Sequence, residues 1–449
     1  MATTRICFIG GGSYNWMPKL LADLALTPDL DGTIVLHDLN RSALDDIERY
    51  GRKVMAKTGA SWRIETSTDL EHSLDGAEFV VVTITTGGLD SMALDLDIPE
   101  KYGIYQSVGD TVGPGGLARA LRNVPVMVGI AQAVERRCPN AWLLNLTNPL
   151  TVLTRVVGLT APRLKVMGLC HELFGVRGGL IRMFGGAPAD FEMRVAGINH
   201  LIWLLDMTIR GQDGLQMVRD FVADGRPLPI PEARGSWHQP FVDRWKLKLT
   251  LFDAYGALPA AGDRHLAEFF SYFLTEATGR GEDYGVLLTT IANRQQQVAT
   301  ARANVQAAIN ADLPPLTRSP EATADIVSAV DNGRSVRTIV NLPNTGQIDN
   351  LPRGAVVETL AEITSAGSQP LTVGALPPGV LSTLQPHVTN QEMIAQAALA
   401  GDRQLALQGM VNVPLVPGLQ VARAVLEDLL EAHAAYLPQF RRGGVLVAA

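Results

Sequence analysis

The first part of the chain alternates between short apolar runs and longer segments with helical periodicity. An apolar run at residues 5–9 breaks into the turn Gly10-Gly11-Gly12-Ser13, and apolar positions then recur at helical spacing over residues 15–26. A second apolar run at residues 33–36 ends at His37-Asp38, and another helical pattern follows. This order predicts a strand–helix–strand unit.

The same alternation continues through the first 194 residues. A long helix is predicted over residues 117–134, and further strands are predicted at residues 79–83, 142–144 and 165–169. Strands that alternate with helices indicate a parallel, doubly wound α/β sheet of the Rossmann type, like that of lactate and malate dehydrogenases. After a strand that begins near residue 194, the pattern mixes strands, Pro-containing loops and helices. We therefore predict two domains, residues 1–194 and an α+β domain of residues 195–449 that packs against the carboxyl edge of the sheet.

The amino-acid composition limits the cellular locations and the binding partners that we expect for this protein. The net charge of −7 and the lack of a Lys/Arg run argue against a nucleic-acid partner. We find neither a signal-peptide pattern nor an apolar run of about 18 residues, so we expect no membrane partner. Three scattered cysteines do not form a disulfide framework and favour a reducing, cytoplasmic location.

The glycine turn after the first strand is a candidate dinucleotide site. Gly10 and Gly12 would allow a pyrophosphate to approach the backbone. The fingerprint is incomplete, because Asn15 occupies the third glycine position and Asp38 lies 28 residues after Gly10 rather than about 20. A strand-end carboxylate at Asp38 would bind the adenine ribose and favour NAD over NADP. The alternative is that these residues form an ordinary glycine turn and an ordinary strand end, without a bound ligand.

Two residues at predicted strand ends are candidate metal ligands. Cys170 ends the strand at 165–169 and begins the box Cys170-His171-Glu172, and His200 ends the next strand in Gly197-Ile198-Asn199-His200. A thiolate and an imidazole at these positions could bind one divalent ion and leave coordination sites for substrate. Each residue taken alone is better explained as a buried structural side chain.

Many motifs in one order make the chain resemble glycoside hydrolase family 4 from the first turn to the last helix. The matching stretches are Gly10-Gly11-Gly12-Ser13, Thr85-Thr86-Gly87-Gly88-Leu89, Ile98-Pro99-Glu100-Lys101-Tyr102-Gly103, Gly109-Asp110-Thr111-Val112-Gly113-Pro114-Gly115-Gly116, Asn145-Leu146-Thr147-Asn148-Pro149, Cys170-His171-Glu172-Leu173, Gly197-Ile198-Asn199-His200, Asn350-Leu351-Pro352, Val356-Val357-Glu358 and Gly401-Asp402. The resemblance implies an NAD- and Mn²⁺-dependent glycosidase. In this mechanism C3 of the sugar is oxidised, C2 is deprotonated, the leaving group is eliminated, water adds and the ring is reduced again.

The resemblance also implies roles for particular residues. Cys170 and His200 are the expected metal ligands, His171 the acid, and Asn148, Glu172 and Glu358 substrate-binding residues, while Asp110 belongs to the catalytic group. The expected cofactor site comprises Gly10, Gly12, Ser13, Asp38 and Thr83. The position of the base is matched by His265, with Asp263, Tyr255 or a metal-bound hydroxide as alternatives.

The expected substrate is an unphosphorylated α-glycoside. Phospho-sugar members of the family carry an Arg where this chain has Met92, and the Cys-His-Glu box resembles that of α-galacturonidases most and that of α-galactosidases and α-glucuronidases next. Arg119 and Arg294 are two candidates for the cation that would bind a uronate. The resemblance further implies a homodimer or homotetramer.

Two rival functions differ in class. A hydroxyacid dehydrogenase on the same framework would release NADH stoichiometrically and would not need a thiolate ligand. A non-catalytic sugar- or redox-sensing protein would bind NAD without turnover. The Cys170 and His200 pair argues against the dehydrogenase, and the intact set of Cys170, His200, Asn148 and Asp110 argues against the non-catalytic protein.

Overall fold

The computed structural model describes residues 4–228 and 230–441. All strands of this part belong to one sheet. The strands are β1 (Thr4–Ile9), β2 (Gly32–His37), β3 (Trp62–Ser67), β4 (Phe79–Val82), β5 (Trp142–Asn145), β6 (Lys165–Gly168), β7 (Phe191–Ile198), β8 (Leu201–Ile209), β9 (Gln212–Asp213), β10 (Leu258–Pro259), β11 (Val336–Pro343), β12 (Val356–Thr364) and β13 (Gly367–Pro370).

The helices divide between the connections of the sheet and the C-terminal part of the chain. They are α1 (Met17–Ala25), α2 (Arg41–Thr58), α3 (Leu70–Ser73), α4 (Gly88–Glu100), α5 (Gly113–Arg137), α6 (Leu150–Thr160), α7 (Glu172–Phe184), α8 (Gly214–Ala223), α9 (Lys246–Tyr255), α10 (Asp263–Leu266), α11 (Ile291–Asn310), α12 (Thr323–Asp331), α13 (Pro378–Ala400), α14 (Arg403–Val411) and α15 (Leu419–Ala432). None of the helices in the described ranges is long and apolar enough to cross a membrane.

The first six strands are parallel and lie in the order β3-β2-β1-β4-β5-β6. This is the doubly wound order of a dinucleotide-binding fold, so the predicted fold class is confirmed. The second half adds antiparallel strands to the same sheet, because β11 pairs with β6 and is followed by β12, β7, β8 and β10. The boundary at residues 194 and 195 stays a prediction, and it lies inside β7.

Both faces of the parallel strands are covered by helices from both halves of the chain. On one face, α1 and α2 pack together with α12, through buried residues such as Leu21, Ile47 and Ile326. On the other face, α5 and α6 pack with α13, α14 and α15. A fully buried aliphatic side chain of this kind stabilises the fold by roughly 1.5–3 kcal/mol. The C-terminal helices are therefore part of the core of the first half.

One row of paired residues crosses the sheet just before the strands end. It connects Ile9, Val82, Asn145 and Gly168 in the parallel part and continues through Asn341, Glu358 and Gly197 in the antiparallel part. On the parallel strands β1, β4, β5 and β6, the residues that directly follow this row emerge along the carboxyl edge of the sheet, whereas β7 runs antiparallel to β6. Gly10 and Thr83 directly follow the row on β1 and β4, and Cys170 follows it by two residues on β6.

Candidate active site

A two-residue turn between β7 and β8 presents His200 at the edge of the sheet. Ile198 pairs with Leu201, so Asn199 and His200 form the turn, and His200 has φ +67°. A Cβ on Gly197 would lie 2.2 Å from the Leu201 carbonyl oxygen, so only glycine allows the hairpin to close in this way. Histidine in the left-handed region is uncommon, and such backbone strain is concentrated at functional sites.

His200 lies in a cluster with Asp110 and His265. Within the described ranges, these three form the one group of at least three His, Cys, Asp or Glu residues whose ligand atoms all lie within 4.8 Å of one another. The rings of His200 and His265 stack with centroids 3.8 Å apart. Two imidazoles and a carboxylate suit a divalent first-row metal. The sequence analysis predicted His200 as a metal ligand and Asp110 and His265 as catalytic residues.

Thr111 fixes the tautomer of His200. Its hydroxyl donates to Asp110 Oδ1 over 2.7 Å and lies 2.8 Å from His200 Nδ1. An ionised carboxylate only accepts, so the single hydroxyl proton points to Asp110 and His200 Nδ1–H must donate to Thr111 Oγ1. The lone pair of a neutral His200 is therefore on Nε2, which is free for a metal.

The charged groups of the site shift one another's pKa values. Burial disfavours the ionised form of Asp110, but the charges of His265, Arg119 and His200 outweigh it and hold the pKa of this carboxyl well below its usual range. Burial lowers the pKa of both His200 and His265. An ionised carboxylate and deprotonated imidazoles are the forms in which these groups bind metals.

Cys170 and Glu358 belong to the same charged region, because both interact electrostatically with Glu172. Cys170 directly follows β6 and is not a member of the three-residue group. Burial, together with the charges of Glu358 and Glu172, raises the pKa of its thiol. Glu358 is 1% exposed, and burial raises the pKa of its carboxyl to about 8 while Asn341 and Asn199 act in the opposite direction.

Glu172 is the first residue of α7, and His171 is the N-cap residue of this helix. The side chain of His171 is 42% exposed, and its Nδ1 lies 3.2 Å from Glu321 Oε1. Burial lowers the pKa of His171, but the hydrogen bond and charge of Glu321 outweigh it, so the net shift is upward. Burial is likewise outweighed at Glu172, whose pKa falls to about 2 because His265, His200 and His171 surround it.

An open cavity of about 300 Å³ lies beside these residues. Its wall includes His171, Glu172, Arg264, His265, His238 and Phe241. Ligand pockets of this size are typical for small molecules. His265 and Arg264 enter it from the four-residue helix α10, so one short element supplies both an imidazole and a guanidinium.

Asp263 and Tyr255, the alternative bases, have other contacts. Asp263 is buried, binds Lys248 Nζ at 2.8 Å and accepts the backbone N–H groups of Leu247 and Lys248. It thereby fixes α10 against the start of α9. Tyr255 packs on Trp203, with ring centroids 5.3 Å apart.

The glycine turn follows β1 and meets the end of β2. A Cβ on Gly10, which has φ +93°, would lie 2.1 Å from the Thr83 carbonyl oxygen, so this glycine is required by the approach of two protein segments. Gly12 N–H donates to Asp38 Oδ2 over 2.9 Å, and Ser13 N–H donates to the Gly10 carbonyl. The turn and Asp38 are thus joined by a hydrogen bond.

The remaining predicted residues lie around the loops before α5 and α6. The Asn148 carbonyl accepts from Arg119 Nε over 3.1 Å and from Asn123 Nδ2 over 3.0 Å. Arg119 also donates to Thr85, whereas Arg294 donates to the Val108 carbonyl. Met92, the position of the Arg in phospho-sugar enzymes, is 3% exposed.

Sequence reasoning missed several residues that complete the site. Thr111, Arg264, Glu268 and Asn341 touch predicted residues or line the cavity. Glu268 is fully buried and accepts from Val108 N–H over 2.7 Å and from Gly109 N–H over 2.8 Å, so it fixes the loop that carries Asp110. A charged or amide residue inside an apolar stretch, as at Glu268 and Asn341, was the available signal.

The fold and the cluster together define a Rossmann-type α/β protein with a candidate metal centre at the carboxyl edge of its sheet. Residues 5–185 match the family model described as family 4 glycosyl hydrolase, and residues 195–416 match the C-terminal domain of the same family. The chain belongs to this family, as the sequence analysis predicted, and is a glycosidase acting on α-glycosides.

Two curated relatives and two solved structures are similar over nearly the whole length. The chain is 38% identical over 435 residues to an α-galacturonidase of Bacillus subtilis, covering 95% of both chains. It is 36% identical over 448 residues to an α-galacturonidase of Thermoanaerobacterium saccharolyticum, covering 96% of both. A putative glucosidase, lplD, of Bacillus subtilis superposes with a TM-score of 0.88 at 37% identity, over 95% of this chain and 100% of the other. A 6-phospho-α-glucosidase from gut microorganisms, solved with NAD and Mn²⁺, has a TM-score of 0.84 at 20% identity, over 97% and 99% of the chains.

Proposed function

We propose that this glycosidase hydrolyses α-galacturonides and that it uses NAD and a divalent metal, most suitably Mn²⁺. The observation that carries the proposal is the cluster of Asp110, His200 and His265, which faces Glu172 and the cavity. The similarity to curated α-galacturonidases at 34–38% identity supports the choice of sugar. The Cys170-His171-Glu172 box agrees with it.

We assign the metal to His200 and Cys170, with Asp110 as a further ligand. The free Nε2 of His200 and the ionised Asp110 fit a cation, and the spacing within the cluster allows both to bind one ion. Metal binding would deprotonate Cys170, whose thiol is otherwise neutral. The ion supplies Lewis-acid polarisation of a sugar oxygen.

We assign NAD to the turn from Gly10 to Ser13, with Asp38 and Thr83 at the neighbouring strand ends. The carboxylate of Asp38 keeps lone pairs for a ribose hydroxyl beyond its bonds to Gly12 and Asn40. Leu39, the next residue, is 88% exposed and offers an apolar surface for the adenine. The cofactor supplies reversible hydride transfer, so hydrolysis consumes no NAD.

We assign the proton transfers to two histidines with opposite pKa shifts. His171 has a raised pKa and stands half-exposed at the cavity, so it holds a proton that it can donate to the leaving-group oxygen. His265 has a strongly lowered pKa, so its neutral imidazole takes the proton from C2. Asn148, Glu172 and Glu358 are assigned to binding the sugar.

We also propose a cytoplasmic homodimer or homotetramer. Cys7, Cys138 and Cys170 are all free thiols, which suits a reducing compartment. Exposed apolar side chains near the C-terminal helices, including Val411 and Leu419, suit a subunit contact.

The function is tested with p-nitrophenyl α-galacturonide, α-glucuronide, α-galactoside and α-glucoside. NAD, Mn²⁺ and a thiol reductant are each omitted in turn, while p-nitrophenol and NADH are followed together. We expect fastest cleavage of the galacturonide, dependent on all three additions and without net NADH. Oxidation of Cys170 should stop turnover until reductant is restored. Equal turnover of the galactoside would contradict the sugar assignment, and stoichiometric NADH would support the dehydrogenase alternative.

A further inference from the structure

Arg264, which lines the cavity, and Arg294, whose charge acts on it, form no salt bridge in the described part of the chain. Arg264 lines the cavity, lies over the Phe241 ring at 4.8 Å and donates to Thr289 Oγ1 over 3.3 Å. Arg294 donates to the Val108 carbonyl over 3.1 Å, and its Nε is buried without a hydrogen-bond partner. In the described part of the chain, no carboxylate oxygen lies within 4.0 Å of either guanidinium. Each guanidinium has five N–H donors, so most of this hydrogen-bonding capacity is unused.

The two positive charges also act on each other. Burial lowers the pKa of Arg294 to about 10, and the charge of Arg264 is the next largest cause. Asp110 and Glu268 partly offset this repulsion at Arg294, and Asp110, Glu172, Glu268 and Asp243 do so at Arg264, but none of these carboxylates forms a salt bridge with either guanidinium. Two like charges held in a partly buried site are stabilised when an anion binds between or beside them. The arrangement therefore fits an anionic group on the ligand of this cavity.

The backbone that carries Arg264 is firmly held. Asp263, the preceding residue, is fixed by Lys248 and by two backbone N–H groups, and Ser107 Oγ donates to the Arg264 carbonyl over 2.5 Å. His265, the following residue, stacks on His200. The distance between the cation and the candidate catalytic centre is thus set by one short helix, as a specificity site requires.

We propose that Arg264, assisted by Arg294, binds the C6 carboxylate of the uronide substrate. The inference rests on the proposed function, because it takes the ligand to be an α-galacturonide. It also differs from the expectation based on sequence for Arg119, which is already bonded to Asn148 and Thr85. A galacturonide and a galactoside differ only at C6, so loss of this contact should change the preference between them.

The test uses the full-length protein loaded with NAD and Mn²⁺. Dissociation constants for galacturonate and galactose are measured by calorimetry, and kcat/KM is measured for the two p-nitrophenyl substrates. In Arg264→Gln we expect the preference for the uronic acid to fall by about 100-fold, and in Arg264→Lys and Arg294→Gln by about 10-fold, because charge-assisted hydrogen bonds are lost. Arg403→Gln, which changes an exposed arginine paired with Glu427, is the control and should keep the wild-type ratio.

The ratio of the affinity for galacturonate to that for galactose distinguishes recognition of the carboxylate from a purely structural role of the arginines. If the variants lose affinity for both sugars equally, or keep the wild-type ratio, the carboxylate assignment is overturned. Binding does not require turnover, so an inactive variant is still informative. If the wild-type enzyme itself does not prefer galacturonate, the proposed function fails first and this inference fails with it. Galactose 6-phosphate should bind more weakly than galacturonate, and tighter binding would overturn the carboxylate assignment in favour of a phosphate.

Discussion

Replacing Thr111 with Val should weaken metal binding without changing any proposed ligand. The substitution keeps the shape of the side chain but removes the hydroxyl that accepts from His200 Nδ1 and donates to Asp110. His200 is 4% exposed, so water cannot readily replace this acceptor. Leaving a buried donor unpaired costs about 1–3 kcal/mol, which agrees with the roughly 10- to 100-fold loss of affinity seen when a partner of a metal-binding histidine is removed.

The affinity is measured from the electron paramagnetic resonance signal of free Mn²⁺ during titration of the NAD-loaded protein. Thr111→Ser keeps the hydroxyl and should bind Mn²⁺ within about threefold of wild type, since one hydrogen bond of similar geometry remains. Thr323→Val is a matched control, because Thr323 is buried and its hydroxyl has no partner. Wild-type affinity in Thr111→Val would refute the tautomer argument and with it the assignment of His200 Nε2.

Two further predictions concern protonation. Burial raises the pKa of Glu268 from 4.5 to about 8, so its contribution to stability is complete below pH 4.5 and is lost as the pH rises to 8. Glu268→Gln should therefore match wild type near pH 4.5. Above pH 8 its free energy of unfolding, measured by urea denaturation, should exceed that of wild type by up to about 5 kcal/mol, whereas parallel stability curves would contradict this. His265→Gln should reduce kcat by roughly 100- to 10,000-fold, as expected for a missing general base, while Mn²⁺ affinity stays near wild type. A large loss of Mn²⁺ affinity would instead identify His265 as a ligand.

The first half of the fold was predictable because its local signals agree with one another. The apolar runs before Gly10 and Asp38 mark β1 and β2, and the long helix predicted at 117–134 is the centre of α5. Pro114 at the start of α5 could have placed its beginning correctly. Strand β3 was not predicted, although Trp62 and Ile64 are buried and Arg63 between them is exposed, which is the alternation of a half-buried strand.

The candidate site was only partly predictable because its residues converge from distant parts of the chain. Cys170 and His200 were recognisable at strand ends, and the family resemblance supplied Asp110 and His265. Nothing local to Thr111 indicates that it lies between Asp110 and His200. Arg264 likewise looks like an ordinary helix residue until the cavity is formed. Such contacts depend on how the two halves of the sheet are joined.

That junction explains why a dinucleotide turn and a metal centre belong to one site. Asn341 on β11 pairs with Gly168 on β6 and with Glu358 on β12, and Glu358 pairs with Gly197 on β7. This register places Gly197, three residues before His200, in the same row as Gly168, two residues before Cys170, although β7 runs antiparallel to β6. A slip of one residue in β11 would reverse the faces of its side chains and displace this row. The antiparallel strands therefore carry His200, one proposed ligand, while the parallel strands carry Cys170, the other proposed ligand, and the glycine turn proposed to bind the cofactor. The proposed chemistry thus depends on a single continuous sheet.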